Sequence, residues 1–221
     1  MRELAPQVWM LPLVPPYAIN AYLLGDVLVD AGVRATTPWL LHQLRGHQLG
    51  LHVLTHAHPD HQGGSRAVCQ RFGIPLWCGA QDAVAMEHGE VRALLPPLLA
   101  NRLLDRLMSG PAQPLARRLM PGDHVGDFVA LATPGHTPGH TSFWRERDRV
   151  LILGDVLRNM DSLTLLPGLG EPYARFTCDI AQNRASIRLV AALRPKLICF
   201  GHGPPLHDPD AIAVFAAGLP V

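Results

Sequence analysis

Short apolar runs, bounded by proline or glycine, recur along the first third of this chain. Residues 8–14, 18–24 and 27–30 have this pattern, which predicts three strands joined by tight turns. Residues 51–54 and 74–78 predict two further strands, and the amphipathic segment 65–72, which stops at Gly73, predicts a helix between them. The alternation of strand, helix and strand indicates an α/β architecture.

The pattern returns after residue 120. Residues 128–132, 141–144, 150–153 and 197–200 predict strands, and residues 179–193 and 210–217 predict helices. An earlier helix is predicted to begin at Thr37 as N-cap, with Pro38 in its first position. Both halves thus contain strands followed by a helix and a strand, which predicts two sheets inside and helices outside.

Residues 91–108 differ from their surroundings because leucine and methionine recur there at helical spacing. Pro96-Pro97 is expected to divide this segment into two pieces. We therefore predict one domain over residues 1–221, with a helical insert at about 86–120 between the two halves. The insert has three open interpretations: plain packing, a lid or apolar wall over the active site, or the contact of a homodimer.

Composition narrows the class of protein. Of the 221 residues 48% are hydrophobic and 17% are charged, so the chain can bury a sizeable core. The net charge is +1 and the arginines are scattered, so we expect no nucleic-acid partner; no run is apolar enough to span a bilayer, so we expect no membrane partner. The four cysteines form no CxxC pair, and the N-terminal prolines make a poor signal sequence, which predicts a cytoplasmic protein with free thiols.

The chain contains 12 histidines, and several of them cluster. His56, His58, Asp60 and His61 follow a predicted buried strand. Residues two apart in an extended segment point to the same side, so His56 and His58 can reach one ion, while Asp60 and His61 face a neighbouring position beyond the turn at Pro59. Imidazole and carboxylate groups are the ligands that zinc and similar ions prefer.

Three more segments place candidate ligands after predicted strands, where loops of an α/β scaffold carry functional groups. They supply His136 and His140 in the glycine-rich turn 134–140, Asp155 after Gly154, and His202 between two glycines. Together with the first cluster they would complete a site for two metal ions.

These motifs resemble the metallo-β-lactamase-fold superfamily, and in particular its glyoxalase II-like hydrolases. The resemblance rests on residues 55–61, 133–140, 154–155 and 201–203, in the family's order. It implies a four-layer αβ/βα sandwich and two divalent ions, zinc first, with iron or manganese as alternatives. It also implies the following positions: His56, His58 and His136 on the first ion; Asp60, His61 and His202 on the second; Asp155 bridging; His140 behind the ligands; and Asp30 in a structural role.

Differences between this chain and known branches of the family limit the possible substrates. The best-known zinc β-lactamases have a cysteine ligand and lack the histidine found here as His61, which disfavours β-lactam hydrolysis. Glyoxalase II has a basic helical extension after the last ligand, whereas little sequence follows His202, which disfavours glutathione thioesters. Lactonases of this fold have a tyrosine where this chain has Arg158. The substrate is therefore expected to be a small-molecule ester, thioester or lactone.

The resemblance and the charges imply a hydrolytic mechanism. Two ions sharing Asp155 would lower the pKa of a bound water from about 15.7 to about 7 and so make a hydroxide nucleophile. Asp60 is the candidate catalytic residue that orients this hydroxide and takes its proton. Arg158 is either a clamp for a substrate carboxylate or phosphate, or a surface arginine.

Two other functions stay open. Some relatives bind one iron and oxidise persulfides with many of the same residues. A non-catalytic metal-binding protein is the third interpretation. The complete set of Asp60, His61 and His202 favours two ions and hence hydrolysis.

Overall fold

The computed structural model describes residues 1–161 and 164–220. The strands are β1 Arg2–Ala5, β2 Val8–Val14, β3 Ile19–Leu24, β4 Val27–Val29, β5 Leu51–Val53, β6 Leu76–Gly79, β7 Arg117–Leu119, β8 His124–Val125, β9 Phe128–Ala132, β10 Thr141–Arg145, β11 Val150–Gly154, β12 Arg158–Met160, β13 Pro167–Gly170 and β14 Leu197–Phe200. The α-helices are α1 Thr37–Gln43, α2 Pro59–Gln62, α3 Ser65–Phe72, α4 Ala83–His88, α5 Leu99–Met108, α6 Ile180–Ala192 and α7 Ala211–Ala217.

Two mixed sheets form the centre of the fold. In the seven-stranded sheet, β1 to β7 lie in chain order; β1 to β4 are antiparallel and β4 to β7 are parallel. In the five-stranded sheet the order is β14-β11-β10-β9-β8, with β11 and β14 parallel. A parallel pair needs a crossover, and α6 lies between β11 and β14 in the chain. The ends of these two parallel strands therefore lie side by side.

Buried side chains fill the spaces between four layers. Val53 and Phe143 belong to the cluster between the two sheets. Leu40 of α1 packs on the outer face of the first sheet, and Ile187 of α6 packs on the outer face of the second. This arrangement confirms the predicted αβ/βα sandwich.

Two local features differ from or refine the predictions. Helix α1 begins at Thr37 rather than after it, because Thr36 ends the preceding 3-10 turn, where its hydroxyl donates to the Val33 carbonyl at 2.9 Å. The leucine-rich segment forms a 3-10 turn at Val91–Leu94 and then α5, with Pro96-Pro97 between them. Within the described ranges, no helix is long and apolar enough to cross a membrane.

Candidate metal centre

The predicted metal ligands converge at one edge of the two sheets. His56 and His58 follow β5, His136 lies in the loop between β9 and β10, and Asp155 and His202 follow the adjacent parallel strands β11 and β14. The loop that carries His202 passes close to Asp155, since a Cβ on Gly201 would lie 2.1 Å from Asp155 Oδ1. Glycine is therefore needed there to bring the last ligand loop against Asp155.

The first ligand group contains His56, His58 and His136, whose ligand atoms lie within 4.8 Å of one another. His58 donates from Nε2 to the Leu94 carbonyl at 3.0 Å, and His136 donates from Nδ1 to the Thr177 hydroxyl at 3.2 Å. Each hydrogen bond fixes the tautomer and leaves the lone pair of the other ring nitrogen for an ion.

The second ligand group contains Asp60, His61 and His202, also within 4.8 Å of one another. His61 donates from Nδ1 to Asp30 Oδ2 at 2.9 Å, and His202 donates from Nδ1 to the Ala18 carbonyl. Nε2 of His202 lies 3.3 Å from Asp60 Oδ2. Nε2 of His202 thus faces the carboxylate of Asp60, and a ligand atom of His61 lies within 4.8 Å of both.

Asp155 lies between the two groups. Its Oδ2 is 3.6 Å from His136 Nε2 on one side, and 3.5 Å from His61 Nε2 and 3.0 Å from His202 Nε2 on the other. One carboxylate is therefore within reach of ligands from both groups.

Unpaired polar atoms test whether these residues fit a metal. Nε2 of His56, Nε2 of His61 and Oδ1 of Asp155 are buried and accept or donate no hydrogen bond within residues 1–161 and 164–220. Leaving such atoms unpaired costs free energy, so buried polar atoms normally have partners. Their donor types, imidazole nitrogen and carboxylate oxygen, fit a divalent ion.

The two groups differ electrostatically. Burial, reinforced by neighbouring imidazoles, lowers the pKa of His56 and of His136 well below the usual range, so both side chains are neutral, as a metal-binding imidazole must be. Burial also opposes a charge on His61, but the carboxylates of Asp155 and Asp30 outweigh it and raise its pKa well above the usual value. If this group holds a metal ion, His61 would have to lose its Nε2 proton to bind it.

His140 is turned away from the free ligand atoms. Its Nε2 accepts a hydrogen bond from the Asp155 backbone amide at 3.0 Å, and its Nδ1 donates to the Thr133 hydroxyl at 2.9 Å. A Cβ on Gly154, at φ +63°, would lie 2.7 Å from the same Nε2. His140 thus orients the backbone that carries Asp155.

Asp82 is a residue that the sequence reasoning missed. Its carboxylate is fully buried and accepts hydrogen bonds from the Ala57 amide at 3.1 Å, the Thr137 hydroxyl at 2.7 Å and the Gly139 amide at 2.7 Å. It therefore connects the loop of His56 to the loop of His136. The sequence signal for this residue was weak: Asp82 is an acidic residue shortly after the predicted strand 74–78, and β6 ends at the sheet edge where the candidate ligands lie.

A pocket opens over the ligands. It is lined by His58, Pro59, Asp60, Leu95, Leu104, Met108, His136, Asp155, Arg158, Pro172, Tyr173, Phe176 and His202. Leu104 and Met108 come from α5, so the leucine-rich insert forms one apolar wall of the pocket. The candidate metal ligands and the apolar wall thus line the same cavity.

The chain belongs to the metallo-beta-lactamase superfamily, whose family model matches residues 14–202. The probable metallo-hydrolase YflN of Bacillus subtilis (strain 168) is 29% identical over 207 residues, which cover 81% of this chain and 76% of the relative. The hydroxyacylglutathione hydrolase GloC of Haemophilus influenzae is 30% identical over 154 residues, which cover 65% and 69%. The crystal structure of TTHA1623 in a di-iron-bound form aligns with a TM-score of 0.71 at 26% identity, over 96% of this chain and 99% of that one.

These likenesses confirm the predicted family, the predicted fold and the broad class of metal-binding hydrolase. The role of each ligand, the number and identity of the ions, and the substrate stay predictions.

Proposed function

We propose that this protein is a dinuclear metal-dependent hydrolase that acts on a small ester, thioester or lactone. The observation that carries the proposal is the position of Asp155, whose Oδ2 lies 3.0–3.6 Å from histidine nitrogens of both ligand groups. A carboxylate in that position suits a bridge between two ions. We propose zinc as the native metal, with iron or manganese as the alternatives.

Two bound divalent ions would supply a water activated near neutral pH and a positive charge beside the scissile carbonyl. The chain's own residues hold and move the proton. Asp60 lines the pocket, and its side chain is about a quarter exposed, unlike the more deeply buried Asp155. Asp60 is therefore the group placed to accept the proton of the attacking water and return it to the leaving group.

The pocket walls indicate an apolar substrate group. Leu95, Leu104 and Met108 form one wall, and Pro172 and Phe176 contribute further apolar surface. Such a cavity removes an acyl chain from water while the polar groups at its floor fix the carbonyl. GloC supports a thioester among the candidates, because its name records a hydroxyacylglutathione substrate for that protein.

Metal analysis combined with a substrate panel tests the proposal. We expect about two divalent ions per chain, and turnover of at least one ester, thioester or lactone that a chelator abolishes and added metal restores. One iron per chain, with oxygen consumption on a persulfide, would support the dioxygenase alternative instead. Metal-loaded protein that turns over none of these compounds would overturn the hydrolytic proposal.

Arg158 is the cation in this pocket that a substrate anion can approach. Its guanidinium lies 4.6 Å from the centre of the Tyr173 ring, while Nε donates to the Glu171 carbonyl at 3.1 Å and Nη1 to the Met160 carbonyl at 3.0 Å. These contacts, together with an ion pair of 3.6 Å from Nη1 to Asp161 Oδ2, hold the side chain in one orientation. Nη2 has no hydrogen-bond partner among residues 1–161 and 164–220, and we propose that it binds a substrate carboxylate or phosphate.

We expect Arg158→Met to raise KM for anionic substrates by about tenfold or more, because a hydrogen bond to a charged group contributes about 1.5–3 kcal/mol. Neutral substrates of the same shape should be affected far less. Arg184→Met is the matched control, because Arg184 also contacts Glu171 but does not line the pocket. Equal losses for charged and neutral substrates would show that Arg158 only supports the β12–β13 hairpin.

A further inference from the structure

Helix α5 has one wide apolar face, and the fold covers only part of it. Leu104 and Met108 line the pocket, whereas Leu99, Leu103 and Leu107 are 80%, 60% and 58% exposed. The three exposed leucines are four residues apart, so they lie on one face of the helix. We call them the leucine face. A contiguous exposed apolar surface of this kind indicates a binding partner.

Arginines border one side of the leucine face. Arg102 and Arg106 precede Leu103 and Leu107 on the exposed side of α5. Arg92 lies across a surface groove from Arg102, and the groove is lined by Leu95, Pro96, Pro97 and Leu98. None of these three arginines forms an ion pair in the part of the chain that the structure describes. Their charge is therefore available to an external anion.

We propose that α5 binds the protein to an anionic lipid surface. The leucine face would enter the boundary between headgroups and acyl chains, and Arg92, Arg102 and Arg106 would contact lipid phosphates. A short helix with leucines beside arginines has the composition of an interfacial segment. This contact departs from the expectation, drawn from the lack of a bilayer-spanning run, that the protein has no membrane partner. Helix α5 would lie in the lipid surface without crossing it.

A second copy of the chain suits the leucine face less well. Symmetric pairing of two α5 helices would bring the arginines of both copies to one contact. The acid of this helix, Asp105, accepts a hydrogen bond from the Ser109 hydroxyl at 2.6 Å, and it is less exposed than the two arginines. An anionic lipid surface would pair with the arginines of α5, whereas a second copy of the chain brings no exposed acid on this helix to pair with them.

The lipid surface would also adjoin the pocket. Leu95 lines both the arginine-flanked groove and the pocket over the metal ligands. The wall that α5 gives to the pocket adjoins the proposed lipid contact, because Leu104 and Leu107 are three residues apart on the helix. Lipid binding goes beyond the hydrolytic proposal and is measured without turnover, so either one can fail while the other stands.

Vesicle sedimentation of the full chain tests the inference. We expect the protein to bind vesicles of phosphatidylcholine with phosphatidylglycerol and to bind pure phosphatidylcholine far more weakly. Arg102→Gln and Arg106→Gln should each weaken binding about fivefold. Leu103→Ser and Leu107→Ser should each weaken it about tenfold or more.

The controls lie on the exposed surface of α6. Arg188→Gln and Leu189→Ser remove the same residue types there and should bind vesicles like the unmodified protein. Equal binding to neutral and anionic vesicles, or unchanged binding by the α5 variants, would overturn the proposal. So would a dimer in sedimentation velocity that Leu103→Ser disrupts, with no vesicle binding, since the leucine face would then belong to a second copy.

Discussion

We expect Asp155→Asn to lower metal-dependent turnover by about a thousandfold or more, since activation of water by the ions moves its pKa by several units. The purified variant should also retain less metal. Asparagine keeps the size of the side chain, but it removes the negative charge that lies within 3.6 Å of His136, His61 and His202 nitrogens. In addition, the side-chain NH₂ of asparagine is a hydrogen-bond donor and cannot bind a cation, whereas the oxygen that it replaces can. Elemental analysis and kcat/KM on the same preparation measure both effects.

The matched control is Asp179→Asn. Asp179 caps α6, where Oδ1 accepts a hydrogen bond from the Gln182 amide at 2.9 Å. Asparagine caps a helix about as well as aspartate, so this variant should keep full metal content and turnover. An Asp155→Asn protein with normal metal content and normal kcat/KM would contradict the bridging assignment.

Several elements were predictable because their sequence pattern and their burial coincide. Strands β2, β9 and β14 and helix α3 have the bounds that the apolar runs and their flanking turns predict. Each contributes side chains to at least one of the buried clusters. The need to bury those side chains determines which positions are apolar, and the apolar pattern in the sequence therefore predicts the element. Buried elements, even one as short as the four residues of β14, are therefore the part of this fold that the sequence specifies locally.

The short edge strands were not predictable in this way. β1, at Arg2–Ala5, and β7, at Arg117–Leu119, lie at the two edges of the large sheet; β1 has no buried residue, and in β7 only Leu119 is buried. Their extended conformation comes from pairing with β2 and β6, a tertiary contact that leaves no alternation in the sequence.

In the candidate site, too, some residues were predictable from the sequence and others were not. Residues 56–61 predict a metal centre from the sequence because four candidate ligands stand close together in the chain there. The supporting contacts need no such spacing. Asp82 reaches both ligand loops through space, and the Leu94 carbonyl meets His58 only because the insert folds over the site. His140 and Asp30 could be named from the sequence motifs, but the supporting contacts of Asp82 and Leu94 become visible only in three dimensions.

Asp82→Ala is therefore expected to have the second large effect. The change leaves the Ala57 amide, the Thr137 hydroxyl and the Gly139 amide without their buried acceptor. Each unsatisfied buried donor costs about 1–3 kcal/mol, so the free energy of unfolding should fall by about 3 kcal/mol or more. Metal affinity should fall by about 10–100-fold, as it does when groups that orient metal ligands are removed.

Two measurements separate these effects. Denaturant unfolding of chelator-treated protein reports stability without metal, and zinc titration at a temperature where the variant is folded reports affinity. Thr137→Val is the graded control: it removes one of the three donors, so it should lower both quantities less than Asp82→Ala does. If Asp82→Ala lowers stability but binds zinc as tightly as the unmodified protein, Asp82 supports the fold alone and does not position the two ligand loops.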